Sequence, residues 1–365
     1  MVVGLLVAMG FVVCWSSGFI GAKLGAGSAA AVTVLMWRFL PLALVLLVVA
    51  AVGARRSWRG LTARDVARQV TIGALSQSGY LLTVYYAIQL GVSSGTTALI
   101  DGTQPLVAGA LAGPLLRQYV SGRQRAGLCL GVAGVVIVTT ADAGAGGGAA
   151  GWAYAVPFLG MFALVAATFL ESRSGTRVAP VVSMTVHCAT SAVIFSGFAL
   201  AMGAAVPPAD ASFWLAVGWL VVLSTLGGYG LYWLILRRSG VTKVNTLMFL
   251  MAPVTALWGA LMFGEPFGPQ TAIGLGVGLT AVVVVQWGGS EGRGRRGGSS
   301  AGGRGRRRGR EGERGRKWGR GRERGGVRAV GSETGAGLGS GVSAGAGVDA
   351  GVVRAGERCG EGGGQ

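Results

Sequence analysis

Two charged side chains fall inside long apolar stretches of the sequence, where charge is rare. Asp101 lies in "ALIDGTQPLVAGAL" (98–111) and Arg38 in "MWRFLPLAL" (36–44). A charged group inside a bilayer is costly, so each is by default a functional hypothesis. Asp101 can exchange a proton or contact a solute, or it can be a structural partner for Arg38. Arg38 can bind an anion or Asp101, or its guanidinium can extend to the membrane surface.

Aromatic and amide side chains occupy the same apolar stretches and could line a cavity. An aromatic wall with a few polar groups is typical of small-molecule sites. The alternative is the aromatic belt at the membrane surface. Tyr80 lies mid-stretch, which argues against the belt, whereas Tyr85 and Tyr86 lie nearer an end. The residues predicted to face a cavity, besides Asp101 and Arg38, are Trp15, Gln77, Tyr80, Gln104, Tyr229, Tyr232 and Asn245.

Patterns typical of enzymes are weak or missing. "GVSSG" (91–95) matches a nucleophile motif, but it lies between two apolar stretches and not at a strand-to-helix elbow. The four cysteines form no C-x-x-C pair, and with one histidine, His187, they predict no metal site. No G-x-x-x-x-G-K-[ST] loop is present. The sequence therefore predicts no enzymatic activity and no cofactor. His187 can titrate near neutral pH or form a structural hydrogen bond.

The elements that carry these residues are predicted to be membrane helices. The chain is 51% hydrophobic and 13% charged, with a mean hydropathy of +0.57. Apolar runs of a length that spans a bilayer follow one another. The first run is not a cleavable signal peptide, because it lacks a basic start. The ten predicted spans are 2–22, 32–52, 68–89, 92–116, 126–141, 152–170, 178–202, 213–236, 242–263 and 271–287.

Basic residues between the spans predict the orientation. If the N-terminus is cytoplasmic, the outer loops carry only Lys23 as a basic residue. Positive loops stay inside, so both termini are predicted to lie on the cytoplasmic side of the inner membrane. The basic residues of the inner loops are Arg55, Arg56, Arg59, Arg64, Arg68, Arg117, Arg123, Arg125, Arg173, Arg177, Arg237, Arg238 and Lys243.

The sequence repeats itself at a spacing of 147–150 residues. "GYLLTVYYAIQLGV" (79–92) returns as "GYGLYWLILRRSGV" (228–241), and Pro105 returns as Pro253. Each half holds five predicted spans, and an odd number places the second half upside down. Inverted repeats are typical of secondary transporters. The predicted fold is an all-α integral membrane protein with ten spans in two inverted five-helix repeats, 1–141 and 152–287, joined by a linker, 142–151.

Small residues and prolines recur in register within the two halves. Pro105 and Pro253 lie mid-helix, where proline removes a backbone hydrogen bond and kinks the helix. Glycines four residues apart allow close helix packing. We therefore expect the fifth and tenth helices to pack against each other or at a homodimer seam. The glycines are Gly127, Gly131, Gly274 and Gly278.

The segment 288–365 has a different composition. It is rich in arginine and glycine, with 17 Lys/Arg and 8 Asp/Glu between Ser290 and Gln365. Such a segment cannot bury apolar surface and is predicted to be disordered. It can contact anionic membrane lipid, bind RNA nonspecifically, or simply add to the positive charge inside. No specific nucleic-acid partner is predicted.

The residues resemble a known family over about 1–288. "CWSSGFIGAKLG" (14–25), "MWRFLPLAL", "ALIDGTQPLVAGAL" and "TLMFLMAPVTALWGAL" (246–261) are similar to helices of EamA-type members of the drug/metabolite transporter superfamily. "FGEPFGPQTAIGLGVGLTAVVVV" (263–285) resembles the family's Gly-Glu turn and last helix. In this sequence we expect Glu265 to organise that turn and Glu171 to end its helix in solvent. The resemblance implies a secondary carrier, often an exporter of small metabolites.

We therefore predict a secondary active transporter that moves a small organic solute by alternating access. Its partners are the solute, membrane lipid, a coupled proton or counter-solute, and a second copy in a homodimer. One alternative is a membrane-embedded enzyme, which would need clustered His, Asp and Glu. Another is a non-transporting scaffold that binds lipid or RNA through the basic tail.

Overall fold

The computed structural model describes residues 2–53, 55–116, 122–146, 148–173 and 178–298, and within these ranges it contains helices and turns but no strand. The apolar composition explains the choice of helix, because a helix satisfies its own backbone hydrogen bonds without water. The all-α prediction is confirmed for the described residues.

The helices of the first half are interrupted at two positions, the first π segment (Ala74–Gly79) and Thr103. The elements are α1 (Val2–Ala26), α2 (Ala31–Val52), a 3-10 turn (Arg55–Trp58), α3 (Ala63–Gly73), the first π segment (Ala74–Gly79), α4 (Tyr80–Gln89), α5 (Ser94–Gly102), α6 (Gln104–Leu116) and α7 (Gly122–Gly144). The first π segment is a stretch of wider helix that continues α3 into α4. Only Thr103 separates α5 from α6.

The second half follows the same plan. Its elements are a 3-10 turn (Gly151–Ala155), α8 (Val156–Ser172), α9 (Pro180–Ala201), α10 (Ala211–Trp219), the second π segment (Leu220–Gly227), α11 (Gly228–Met248), α12 (Met251–Phe263) and α13 (Pro269–Gly298). The second π segment joins α10 to α11, as the first joins α3 to α4. The spans 213–236 and 242–263 are predicted to be separated by an inner loop, but the backbone of α11 continues as helix through it to Met248.

Proline sets the position of the helix breaks in both halves. Proline has no N–H and clashes with the carbonyl four residues earlier, which for Pro105 is that of Asp101 and for Pro253 that of Phe249. The chain leaves the helix at Thr103 in the first half and at Phe249 and Leu250 in the second. Gly240, in the loop predicted between the spans 213–236 and 242–263, costs only about 1 kcal/mol in a helix and does not end α11.

Seven helical stretches among the described residues are long and apolar enough to cross a membrane: Val3–Ala26, Ala31–Val52, Gly122–Gly144, Gly151–Ser172, Pro180–Ala201, Ala211–Ser239 and Thr246–Phe263. The predicted spans 68–89 and 92–116 fall on the interrupted helices α3–α4 and α5–α6, and 271–287 falls on the shorter apolar helix Pro269–Val285. The count of ten spans therefore stays a prediction.

The two halves pack reciprocally. The first helix of each half packs against the third helix of the other: α1 contacts the second π segment and α11, and α8 contacts α4 and the first π segment. The remaining large contacts join α2 with α9, α5 with α12, and α7 with α13. α2 and α9 occupy equivalent places in the two halves, as do α7 and α13, whereas α5 and α12 are different parts of the fourth predicted span of each half.

The C-terminal end of the described chain differs from the prediction. A disordered tail is predicted from residue 288, but the backbone of α13 continues as helix to Gly298. Extending an existing helix costs less than starting one. The rest of the predicted tail, 299–365, lies outside the described residues.

Candidate functional site

A cavity lies between the two halves, and we call it the main cavity. It has an empty volume of about 660 Å³ including its open mouth. Its walls come from α1, α2, the first π segment, α4, α9, the second π segment and α11. Its lining residues are Trp15, Gly18, Phe19, Arg38, Phe39, Ser76, Gln77, Tyr80, Leu81, Val84, Tyr85, Cys188, Ser224, Thr225 and Tyr229. Five predicted residues are among them: Trp15, Arg38, Gln77, Tyr80 and Tyr229.

The two π segments supply equivalent walls of the main cavity. Ser76 on the first and Thr225 on the second are 149 residues apart, the same spacing that relates Tyr80 to Tyr229. A π segment widens the helix and leaves irregular backbone spacing, and such segments occur frequently at functional sites. Within the second π segment, the Thr225 hydroxyl donates a hydrogen bond of 2.9 Å to the Leu220 carbonyl oxygen. Both halves therefore present a hydroxyl to the cavity by the same backbone irregularity.

Arg38 is buried in the wall of the main cavity, with 4% of its surface exposed. Its Nη1 donates to the Tyr85 hydroxyl at 2.6 Å. Its Nη2 donates to Ser224 at 3.2 Å and to Thr225 at 3.1 Å, and its Nε donates to Thr225 at 3.3 Å. The expectation that Arg38 extends to the membrane surface is wrong, because these hydroxyls hold the guanidinium inside.

Asp101 does not pair with Arg38. Its Oδ2 accepts a hydrogen bond of 2.9 Å from the Tyr80 hydroxyl, and its Oδ1 is buried without a hydrogen-bond partner among the described residues. Asp101 faces another cavity, which we call the second cavity. The second cavity has an empty volume of about 340 Å³ and is lined by Trp15, Tyr80, Asp101, Gly102, Gln104, Pro105, Leu164, Met248, Phe249 and Met251. Trp15 and Tyr80 thus line both cavities.

Gln77 and Tyr229 belong to a polar chain that crosses the interface of the halves. Gln77 Nε2 lies 3.5 Å from the Tyr229 hydroxyl, at the outer limit of a hydrogen bond, and its Oε1 accepts from Ser191 at 3.3 Å. Ser191 and Ser78 then bond at 3.1 Å. In the second cavity, Gln104 donates to Thr168 at 3.3 Å. These amides are therefore held by partners on the other half.

An aromatic cluster covers one side of both cavities. The Trp15 ring lies 5.7 Å from that of Tyr229 and 5.9 Å from that of Tyr232. Tyr232 packs behind Trp15, with Phe11 at 6.4 Å, and is not among the described residues that line the main or the second cavity. The side chain of Asn245 lies outside the described part of the structure.

The predicted packing residues lie at close contacts. A Cβ atom on Gly274 would meet the Gly134 carbonyl oxygen at 3.0 Å, and one on Gly127 would meet that of Ala281 at 2.9 Å. Cβ atoms on Gly131 and Gly278 would meet Leu106 at 2.5 Å and Leu99 at 2.9 Å. The α7–α13 contact therefore lies inside one chain. Pro105 lines the second cavity, and Pro253 lines a smaller third one beside Leu99 and Gly278.

Two acidic residues serve roles other than those expected. Glu265 accepts hydrogen bonds from the Ser94 backbone N–H at 3.0 Å and from its hydroxyl at 2.6 Å, and it lies 3.3 Å from the Lys23 ammonium. It therefore ties α12 to α5 and α1, beyond its own turn. Glu171 is not simply solvated, because it accepts from Gln69 at 3.3 Å, and Gln69 also bonds His187 at 2.8 Å.

Sequence reasoning missed several cavity residues. Ser76, Ser224, Thr225 and Cys188 carry small side chains that are common in membrane helices, so composition gives no signal for them. Only the equivalence of Ser76 and Thr225 across the repeat could have found that pair. The sequence predicts that Tyr85 lies either in the cavity or in the aromatic belt, and the structure buries it at 3% exposure against Arg38.

The fold and the site together define a multi-pass α-helical membrane protein, built from a tandem repeat around a central cavity. The EamA-like transporter family matches the chain twice, at residues 2–140 and 151–287. The chain belongs to this family.

Similar proteins agree with this assignment. The S-adenosylmethionine/S-adenosylhomocysteine transporter of Chlamydia trachomatis serovar D is 29% identical over 211 residues, which cover 54% of this chain and 64% of that protein. The corresponding protein of serovar L2 matches to the same extent. The matched part thus spans less than two thirds of these relatives. One solved crystal structure has a TM-score of 0.53 at 18% identity and covers 77% of this chain and 95% of its own, which supports the fold alone.

Proposed function

We propose that the protein is a secondary active transporter that moves a small organic solute across the cytoplasmic membrane by alternating access, in the direction of export. The observation that carries the proposal is the main cavity, which is lined from both repeats by equivalent π segments. The ten-span inverted topology and the cytoplasmic termini are part of this proposal. Transport would be coupled either to a proton, which Asp101 would carry, or to the opposite movement of a counter-solute.

Reciprocal packing of the halves supports alternating access. Two related halves can pack against each other in two nearly equivalent ways, and each arrangement opens the cavity to a different side. In the proposed orientation, several contacts between the halves lie at the outer end. Thr33 donates to the Ala204 carbonyl at 2.8 Å and Trp37 to that of Ala205 at 3.2 Å. These bonds, with the Lys23–Glu265 pair, must break when the cavity opens outward.

The nature of the cavity supports an organic solute over an inorganic ion. Six of its fifteen lining side chains are aromatic: Trp15, Phe19, Phe39, Tyr80, Tyr85 and Tyr229. Aromatic walls bind flat apolar groups and cations. The Chlamydia relatives are named for S-adenosylmethionine and S-adenosylhomocysteine, which carry an adenine ring and an amino-acid end. We therefore propose solutes of this kind.

The test is exchange in liposomes that contain the full chain. Vesicles are preloaded with S-adenosylhomocysteine, and labelled S-adenosylmethionine is added outside. We expect uptake that depends on the preloaded solute and is missing from protein-free vesicles. A parallel set uses unrelated amino acids, nucleosides and cationic drugs under imposed pH gradients.

The two parts of the proposal fail separately. If the adenosyl compounds do not exchange while another solute does, the transporter stands and its substrate class is wrong. If no solute moves under any gradient, in protein shown to be folded, the transport proposal is overturned.

A further inference from the structure

We propose that the transported solute is dipolar, with an oxyanion bound by Arg38 in the main cavity and a cationic group bound by Asp101 in the second cavity. This inference rests on the proposed function and names the chemistry of its solute.

Arg38 provides an uncompensated positive charge. Its guanidinium has five N–H donors in a planar fork suited to carboxylate or phosphate. Four of these donations go to the hydroxyls of Tyr85, Ser224 and Thr225. Hydroxyls satisfy hydrogen bonds but carry no charge. Within the described residues no carboxylate lies within ion-pair distance of Arg38, so an anion in the main cavity would be its first counter-charge.

Asp101 provides the opposite charge in the neighbouring cavity. The Tyr80 hydroxyl occupies Oδ2, whereas Oδ1 is buried and has no hydrogen-bond partner among the described residues. Leaving a buried acceptor without a partner is unfavourable, because the oxygen has lost its water and has gained no donor in return. A cationic N–H donor in the second cavity would satisfy this oxygen and balance the charge.

Arg38 and Asp101 do not form an ion pair with each other. The least costly arrangement of a buried cation and a buried anion is a direct ion pair. The fold prevents this by holding Arg38 with three hydroxyls and Asp101 with a fourth, that of Tyr80. A solute with both charges can bridge what the protein keeps apart.

The residues between the poles suit the rest of such a solute. Trp15 and Tyr80 line both cavities, so the two cavities share an aromatic wall. The Tyr229 ring meets that of Trp15 edge-on at 5.7 Å. The adenosyl part of such a solute, which extends from the carbon that carries both charged groups, would lie against this wall.

The test is a charge-deletion series measured by calorimetric binding to the purified full chain. The probes are S-adenosylhomocysteine, its carboxamide, which lacks the anion, and its N-acetyl derivative, which lacks the cation. The variants are Arg38→Gln, Arg38→Lys and Asp101→Asn. The controls are Arg64→Gln and Asp210→Asn, which change exposed charges. The thermal midpoint of each variant checks that it is folded.

We expect each modified probe to bind wild type on the order of 30-fold more weakly, as for a buried charge pair that loses one partner. Arg38→Gln should remove the preference for the acid over the carboxamide and keep the preference for the free amine. Asp101→Asn should do the reverse. Arg38→Lys should keep part of the preference for the acid, and the controls should keep both preferences.

Three results would overturn the inference. One is equal binding of acid and carboxamide to wild type. Another is a loss of affinity in Arg38→Gln that is equal for all probes, which would make Arg38 structural. The third is that the folded wild-type protein binds none of the probes, which would exclude dipolar adenosyl compounds as its solutes. Exchange of unrelated solutes in liposomes would still leave the transporter itself standing.

Discussion

The hydroxyl of Tyr80 donates a hydrogen bond of 2.9 Å to Oδ2 of Asp101, and this bond crosses from the main cavity to the second cavity. Tyr80 follows the first π segment, and Asp101 lies one residue from the end of α5. The bond therefore couples the two irregular elements of the first half. Movement of either helix would change the environment of the carboxylate.

Tyr80→Phe should destabilise the protein, because it leaves a buried carboxylate without its hydrogen bond. A buried acceptor that loses its partner costs about 1–3 kcal/mol. Adding Asp101→Asn to Tyr80→Phe should cost less than the sum of the single changes, with a coupling of about 0.5–3 kcal/mol in a double-mutant cycle. Unfolding in denaturing detergent measures these differences. Tyr86→Phe, at an exposed tyrosine on the same helix, should change stability little. Additive effects would show that the bond contributes nothing.

Gly134→Ala should weaken the α7–α13 contact. A Cβ there would lie 2.8 Å from the Gly274 carbonyl oxygen and 2.9 Å from the Gly278 nitrogen, both of which are backbone atoms that cannot rotate away. Overpacking of this kind typically costs about 1–3 kcal/mol. The matched control is Gly276→Ala on α13, where nothing lies within 4 Å of the new atom. A thermal midpoint for Gly134→Ala as high as that of the control would contradict the close packing.

Glu265→Ala should cost more stability than Lys23→Met. Glu265 caps α5 through the Ser94 N–H and hydroxyl, and loss of a cap costs about 0.5–2 kcal/mol. Lys23 contributes only a partly exposed ion pair, worth about 0–1 kcal/mol. Asp210→Ala, at the exposed cap of α10, is the control for loss of a carboxylate cap. If Lys23→Met and Glu265→Ala had equal effects on the thermal midpoint, the ion pair and not the cap would dominate.

Labelling of Cys188 should report on occupancy of the main cavity. Its side chain lines the cavity and is 1% exposed, so a small thiol reagent reaches it only through the cavity. In a chain with Cys14, Cys129 and Cys359 replaced by serine, a bound solute should slow labelling. At ten times its Kd the slowing should be roughly tenfold, in proportion to the unoccupied fraction. Mass spectrometry measures the rate. An unchanged rate with a transported solute would place the solute elsewhere.

Much of the fold could be predicted because the same sequence patterns occur in both halves of the chain. Apolar composition predicted helices, and the recurrence of Gly79-Tyr80 as Gly228-Tyr229 predicted two related halves. Pro105 and Pro253 marked the helix breaks for a local steric reason. The π segments could not be foreseen, because they depend on a one-residue irregularity in hydrogen bonding that apolar residues do not reveal.

The residues of the candidate site were easier to predict from the sequence than the hydrogen bonds between them. Arg38 and Asp101 stood out because charge is rare in apolar helices. Their partners did not stand out, since Tyr85, Ser224 and Thr225 become neighbours of Arg38 only when α2 packs beside α4 and the second π segment. An Arg38–Asp101 pair is one of the alternatives that charge alone predicts. Tertiary contacts with hydroxyls replaced it.

The glycine contact between α7 and α13 has a mechanical consequence. Because Gly134 faces Gly274 and Gly278 with no side chain between them, the two helices form one stiff double rod. These helices end the first and second repeats. If the repeats move relative to each other, this close contact favours a rotation about the rod over a separation of the two helices. The hydrogen bonds at the far edges of the cavities would open and close while the rod stays still.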